Sequence, residues 1–154
     1  MRSLKLITLL VAFASGFTAL ADDLLWRAHP NVEQEFKSSD IVIVGTVINS
    51  TNIVDQDGFI SGTFYSIRVS ETLRGRPSKA VDLYSENSSG RFPMEVGTSY
   101  LVFAYEGSFE RATGLHLAIN NCGNSGRLDQ SKNALAMVRK LEASSNTTQK
   151  SEVK

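Results

Sequence analysis

Residues 41–48 read Ile41-Val42-Ile43-Val44-Gly45-Thr46-Val47-Ile48. β-Branched side chains crowd a helix and suit a pleated surface, so the run predicts a strand. The run does not alternate. It is apolar on both faces, so both faces need cover. Gly45 interrupts it, and a glycine inside a strand marks a bulge or sharp bend of the kind that curls a sheet toward closure.

The chain downstream continues in short strands. Residues 49–62 are polar, contain glycine and are expected as a long hairpin loop. Residues 63–71 alternate, with Tyr65, Ile67 and Val69 on one side and Ser66, Arg68 and Ser70 on the other, which predicts a half-buried strand. Leu73-Arg74-Gly75-Arg76-Pro77 reads as a turn, residues 80–84 as a short strand with Val81 and Leu83 inward, and residues 87–97 as a loop. Residues 100–105 form a buried strand of apolar and aromatic residues. Residues 107–114 turn the chain, and residues 115–119 place Leu115, Leu117 and Ile119 on one face. Asn120 to Gly126 is turn-forming.

A helix flanks the strands at each end. Asn31 can cap a short one, with Gln34 three residues on, Val32 and Phe36 on one face, and an end at Ser38-Ser39. Asp129 or Ser131 can cap the other, which runs to about Glu142 with Leu135, Val138 and Leu141 as its apolar stripe. The fold class is therefore mainly β: a five-stranded OB-type Greek-key barrel with a short N-terminal helix and a C-terminal helix. A sandwich wants more strands.

The two termini read differently. Met1-Arg2-Ser3-Leu4-Lys5 is positive, Leu6 to Phe17 is almost wholly apolar, and Ala19-Leu20-Ala21 is small-residue. That order is a secretory signal, expected as residues 1–21 and cleaved before Asp22. The apolar run is too short to span a bilayer comfortably, and no later stretch is long enough, so no transmembrane segment is expected after cleavage. Residues 22–142 form the expected domain. Residues 143–154 (ASSNTTQKSEVK) are too polar to offset their ordering entropy and are expected as a disordered tail. The expected location is periplasmic or secreted.

The chain holds 16 basic and 16 acidic residues. The signal carries Arg2 and Lys5 and no acid, which leaves 14 against 16 and a net charge of −2 in the mature domain. That is no electrostatic footprint for nucleic acid. Cys122 is the only cysteine, so no disulfide closes within the chain and stability rests on the apolar core. Its expected fates are a buried thiol, an intermolecular bridge or a reactive group. His29, His116 and Cys122 show no ligand spacing, so no metal and no cofactor is expected. No third residue is evident to orient a Cys122–histidine nucleophile, and no catalytic residue is assigned. The glycine-rich run from Asn121 to Gly126 lacks the lysine of a phosphate loop. Phe64, Tyr65, Tyr84, Phe92, Tyr100 and Tyr105 can stack on sugar rings if exposed, though core packing is the usual fate of strand aromatics.

Several motifs carry a resemblance. Phe36-x-x-x-Asp40-Ile41-Val42-Ile43-Val44-Gly45-Thr46-Val47 resembles the first strand of bacterial tissue-inhibitor-of-metalloproteinases-like (netrin-module-like) domains. So do Val69-x-Glu71-x-Leu73-x-Gly75, Gly97-x-x-Tyr100-Leu101-Val102-Phe103-Ala104 as a fourth strand, and Asn121-Cys122-Gly123 before the last helix. The likeness spans roughly residues 29–142. It implies an OB-type barrel and inhibition of zinc metalloproteases. In the animal inhibitors an N-terminal Cys-x-Cys chelates the protease's zinc. Here the mature terminus is Asp22-Asp23-Leu24, with no cysteine. Cys122 matches a position that is usually disulfide-bonded in the family, and its partner is missing. The expectation is an exported, non-enzymatic binding module that meets a protein partner, a metalloprotease being one candidate, through Asp22, Asp23, Leu24 and the adjoining loops. The alternative is an envelope-associated structural or interaction protein that dimerises through Cys122.

Overall fold

The computed structural model describes residues 30–109, 112–119 and 121–151. The expected signal, His29 and the expected contact residues Asp22, Asp23 and Leu24 lie outside them. With 47% of the described residues in strands, the fold is mainly β.

Helix α1 (Val32–Ser38) starts where the sequence places it. Gln34 donates its backbone N–H to Asn31 Oδ1 at 2.8 Å, and Asn31 donates its own to Gln34 Oε1 at 3.4 Å, a reciprocal capping box. Strand β1 (Ile41–Val54) follows and pairs antiparallel with β2 (Ile60–Arg74). Strands β3 (Ala80–Glu86), β4 (Ser99–Phe109), β5 (Ala112–Ala118) and β6 (Gly126–Arg127) precede helix α2 (Lys132–Ser151). The sheet order is β1-β2-β3-β5-β4-β6, and β1 also pairs with β4. Strands β1, β2, β3, β5 and β4 thus form a ring of five, with the two-residue β6 laid on β4. All pairings are antiparallel except β3 with β5, which run parallel over Leu83–Leu117 and Tyr84–Ala118.

The two-faced apolar pattern of β1 has a direct cause. Ile41, Ile43 and Val47 enter one cluster with Tyr65, Ile67, Leu83, Tyr100 and Val102. Val42 and Val44 enter a second cluster with Phe36, Leu73, Leu101, Phe103 and Val138, which the two helices cover. At Gly45 the register with β2 shifts, from Val44 opposite Glu71 to Gly45 opposite Val69. The bulge read from the glycine is there. A Cβ on Gly45 would meet Ile67 Cγ2 and, at 2.8 Å, the backbone oxygen of Arg68.

Four expectations need correction. The 49–62 loop is mostly strand: β1 runs to Val54 and β2 starts at Ile60. Asn, Ser and Thr there look loop-like, but the segment pairs with β2, and Thr63 Oγ1 bonds to Asn52 Oδ1 at 3.0 Å and Ser61 Oγ to the Ile53 oxygen at 3.2 Å across the ladder. The 107–114 turn is likewise strand on both sides, since β4 reaches Phe109 and β5 begins at Ala112. Six strands replace five, because Gly126 and Arg127 pair with Leu101 and Tyr100. Residues 143–151, expected in the disordered tail, continue α2. Ser144 and Ser145 bond back to the oxygens of Lys140 and Leu141 at 2.9 Å each, a route by which serine joins a helix without a core contact. Among the described residues no helix is long and apolar enough to cross a membrane.

The long helix is fixed to the ring on its outer side as well. Arg139 makes a two-pronged contact with Glu71, Nε to Oε1 at 2.9 Å and Nη2 to Oε2 at 2.6 Å. The Arg139 hydrogen bonds hold the Glu71 carboxyl below its ordinary pKa against a partial burial that acts to raise it, and the Arg139 charge adds to the lowering. The same contact raises Arg139.

Candidate functional site

The site follows from how the end of α1 is held. Ser39 closes the helix, donating its backbone N–H at 2.9 Å and its hydroxyl at 2.8 Å to the oxygen of Glu35. Its own carbonyl accepts from Arg74 Nε at 2.7 Å, and the Arg74 guanidinium lies 5.6 Å from the centre of the Phe36 ring. The α1 C-terminus is therefore locked onto β2. Asp40 then begins the descent into β1, with its carboxylate accepting the Glu106 N–H at 2.7 Å from β4.

The turn from Asn121 to Ser125 approaches α1 from the other side. Glu35 Oε2 accepts the Asn124 backbone N–H and its side-chain amide, each at 2.6 Å. The same amide also bonds to the Pro30 oxygen at 2.8 Å. Ser125 Oγ accepts the Phe103 N–H at 2.9 Å, tying the turn to β4. A Cβ at Gly123 would meet the Glu35 carboxylate, so a larger residue there would have to displace that side chain from Asn124.

Between these anchors lies a half-open pocket of about 270 Å³. It is lined by Pro30, by Glu35, Ser38 and Ser39 of the α1 end, by Phe103 and Tyr105 of β4, and by Cys122 and Gly123 of the turn. The volume suits one or two side chains of a peptide segment rather than a small-molecule ligand. The one carboxylate in its lining, Glu35, is engaged with Asn124, and the Ser38 and Ser39 hydroxyls donate to the Glu35 backbone oxygen, so the recess presents mainly aromatic and thiol surface. A second depression of about 590 Å³ lies between Gly97 and the start of α2, beside Arg127, Asp129 and Lys132. Its arginine is engaged: Arg127 meets Glu95 at 2.8 Å and Asp129 at 3.7 Å. The Glu95 hydrogen bond is the main cause of the raised pKa of Arg127.

Cys122 is exposed, which corrects the buried-thiol expectation; its Sγ lies 3.3 Å from Asn121 Oδ1. His116 is half-buried on the outer face of β5, edge-on to Phe64 with ring centres 5.0 Å apart. Cys122 and His116 have separate surroundings, the pocket wall and the Phe64 ring. Among the described residues no group of three or more His, Cys, Asp and Glu side chains could hold a metal ion. Of the aromatics considered for stacking, Tyr65, Tyr84 and Tyr100 are buried, Phe64 and Phe92 are half-buried, and only Tyr105 is exposed. The glycine-rich turn presents its Asn124 N–H to a carboxylate of its own chain, which excludes a phosphate at that donor.

Sequence reasoning singled out Cys122, and Tyr105 as one of six aromatics able to stack on a sugar ring if exposed, but passed over Glu35 and Asn124 as site residues. Glu35 sits on a polar helix face, and nothing local signals a partner 89 positions away. Neither protein-family models nor curated proteins give a match to this chain.

Proposed function

We propose that this chain is an exported binding module of the tissue-inhibitor-like type, which acts by surface contact with a protein partner at the edge formed by Pro30, the end of α1 and the Asn121–Ser125 turn. The observation that carries the reading is the pocket itself. Pro30, the first described residue, lines it, eight positions after the expected mature terminus at Asp22. The finer fold reading, an OB-type Greek-key barrel, is supported by the order β4-β1-β2-β3, three consecutive strands with the fourth returning beside the first through the long 87–98 connection.

Metalloprotease inhibition is the specific form this contact takes in the proposal. Any mature N-terminus offers an α-amine and a carbonyl, and Asp22 adds an oxygen ligand for a protease's zinc. The zinc-chelating Cys-x-Cys is absent, so the ordering of the arm must be met at binding and weakens inhibition. The test uses protein processed to begin at Asp22 and a second form with one residue added before it. Both are assayed on a panel of zinc metalloproteases and used for affinity capture from an exported proteome. Inhibition lost on the one-residue extension supports the mechanism. Capture of one partner by both forms, without inhibition, supports the module and ends the zinc reading. No capture and no inhibition end both.

Exposure of Cys122 favours a second reading, an envelope-associated protein joined in pairs through this thiol. Non-reducing electrophoresis of oxidised protein decides it: a monomer band alone removes the disulfide dimer.

A further inference from the structure

At the opposite end of β1 from the pocket, the sheet has an open edge. Strand β4 covers β1 only from Ile41 to Thr46. The 96–98 turn adds one more step, with Val47 donating its N–H to the Thr98 oxygen at 3.0 Å and Gly97 donating to the Val47 oxygen at 2.8 Å. Beyond it, from Ile48 to Val54, the only strand pairing β1 makes among the described residues is with β2. Register shifts fall at Val47/Asn49 and Ile53/Val54, which leaves Asn49 to Ile53 as five consecutive residues in regular register.

Edges of this kind are normally protected by lysine, proline, an inward-pointing charge or a β-bulge. Residues 48–54 (INSTNIV) carry no charge and no proline, and the register shifts lie only at the two ends of the regular run. The nearest charge, Asp55, is turned back into its own hairpin, where its Oδ1 accepts the N–H of Asp57 at 3.1 Å and of Phe59 at 2.9 Å. Apolar surface gathers at the same place. Among the described residues seven large apolar side chains are exposed, and Ile48, Val54, Phe59, Ile60 and Val96 border this edge. Phe59 is 71% exposed.

We infer that this edge pairs with the same edge of a second copy, antiparallel about a two-fold axis at Thr51. Open strand edges bind strands, through main-chain hydrogen bonds with side chains supplying fit. The edge is complementary to itself. Thr51 lies opposite Thr51, Ser50 opposite Asn52 and Asn49 opposite Ile53, with no like charges facing. The register also brings Asp55 of one copy opposite Val47 of the other. That sets the exposed hairpin end, Val54 and Phe59, against the Val96 turn of the partner copy. Five paired residues alone are marginal; the apolar contacts at both ends are what sustain the dimer. The surface is independent of the Pro30 pocket and of Cys122.

The experiment uses the processed chain with Cys122→Ser, so that no disulfide contributes, and reads mass by light scattering after size exclusion at roughly 100 μM, a concentration that reveals micromolar affinity. The expected mass is twice that of one chain. Thr51→Lys and Thr51→Glu each place like charges opposite and are expected to elute as monomers. An equimolar mixture of the two restores the doubled mass, which also shows that both variants fold. A monomeric Cys122→Ser parent, a dimer that survives either single variant, or a mixture that stays monomeric overturns the inference.

Discussion

Asn124 gives both of its nitrogens to a single oxygen, Glu35 Oε2, at 2.6 Å each. The two residues are 89 positions apart, and the contact joins the helix that opens the described fold to the turn before the helix that ends it. In a chain whose one cysteine leaves no disulfide within it, this hydrogen-bonded clamp ties the two ends of the described fold together.

Removing the clamp should cost stability. Glu35→Ala strands the Asn124 N–H in a part-buried position, and hydrogen bonds to a charged group are worth about 1.5–3 kcal/mol, so a loss of about 2 kcal/mol is expected. Gly123→Ala pushes into the same carboxylate and should lose a comparable amount. Urea unfolding checks both, as a lower midpoint at unchanged slope. A midpoint equal to wild type for Glu35→Ala would show that the clamp contributes nothing.

Gly45 gives the test of the bend. The obstacle to a Cβ there includes the Arg68 carbonyl, which is backbone in the paired strand and cannot rotate away. Gly45→Ala must open the β1–β2 ladder at its bulge, with an expected cost of about 1–3 kcal/mol, as for overpacking in a filled core. Thermal unfolding of the variant should show this. An unchanged Tm would mean that the glycine is incidental to the curl.

These two positions show what the sequence disclosed and what it hid. Gly45 was legible because its effect is local: one glycine in a β-branched run has few structural uses. The Asn31–Gln34 capping box was legible for the same reason. Extents were less so. Residues 49–54 carry loop-type side chains, yet they pair with β2 as a strand, a fact that no window of sequence contains. Glu35 and Asn124 look like any exposed acid and amide. The pocket wall depends on where the Asn121–Ser125 turn lands relative to α1, which is set by the whole ring of strands. Cys122 was conspicuous by composition, but its exposure is a tertiary fact.

The Glu71–Arg139 contact predicts a pH dependence. Glu71 has a lowered pKa in the fold, chiefly from the Arg139 hydrogen bonds. A lowered carboxylate pKa adds stability above the unfolded value, about 4.3, and that stability is lost as pH falls through the folded value below it. The raised Arg139 stays charged throughout this window. Arg139 is exposed and Glu71 only half-buried, so solvent screening keeps the effect small. Arg139→Ala and Glu71→Gln should each lower Tm modestly at pH 7, and the gap to wild type should close on acidification below the usual carboxylate range. The double variant should be no worse than either single one. A gap that persists in acid would assign the effect to packing of the arginine stem.

Helix α2 separates two roles along its length. Val138 is fully buried between the ring and α1, and Leu141 packs beside it, whereas Ala143, Ser144 and Ser145 are exposed. Core contacts, not helical conformation, supply most of the stability of a helix in a folded chain. Ending the chain after Glu142 should therefore change unfolding free energy by less than about 0.5 kcal/mol, in the range of surface substitutions. Val138→Ala removes two buried methyl groups and should cost about 2 kcal/mol, from the lost transfer energy and the residual cavity. Chemical denaturation of the two variants side by side separates the roles. A truncated form as unstable as Val138→Ala would place the last turns of the helix inside the cooperative fold.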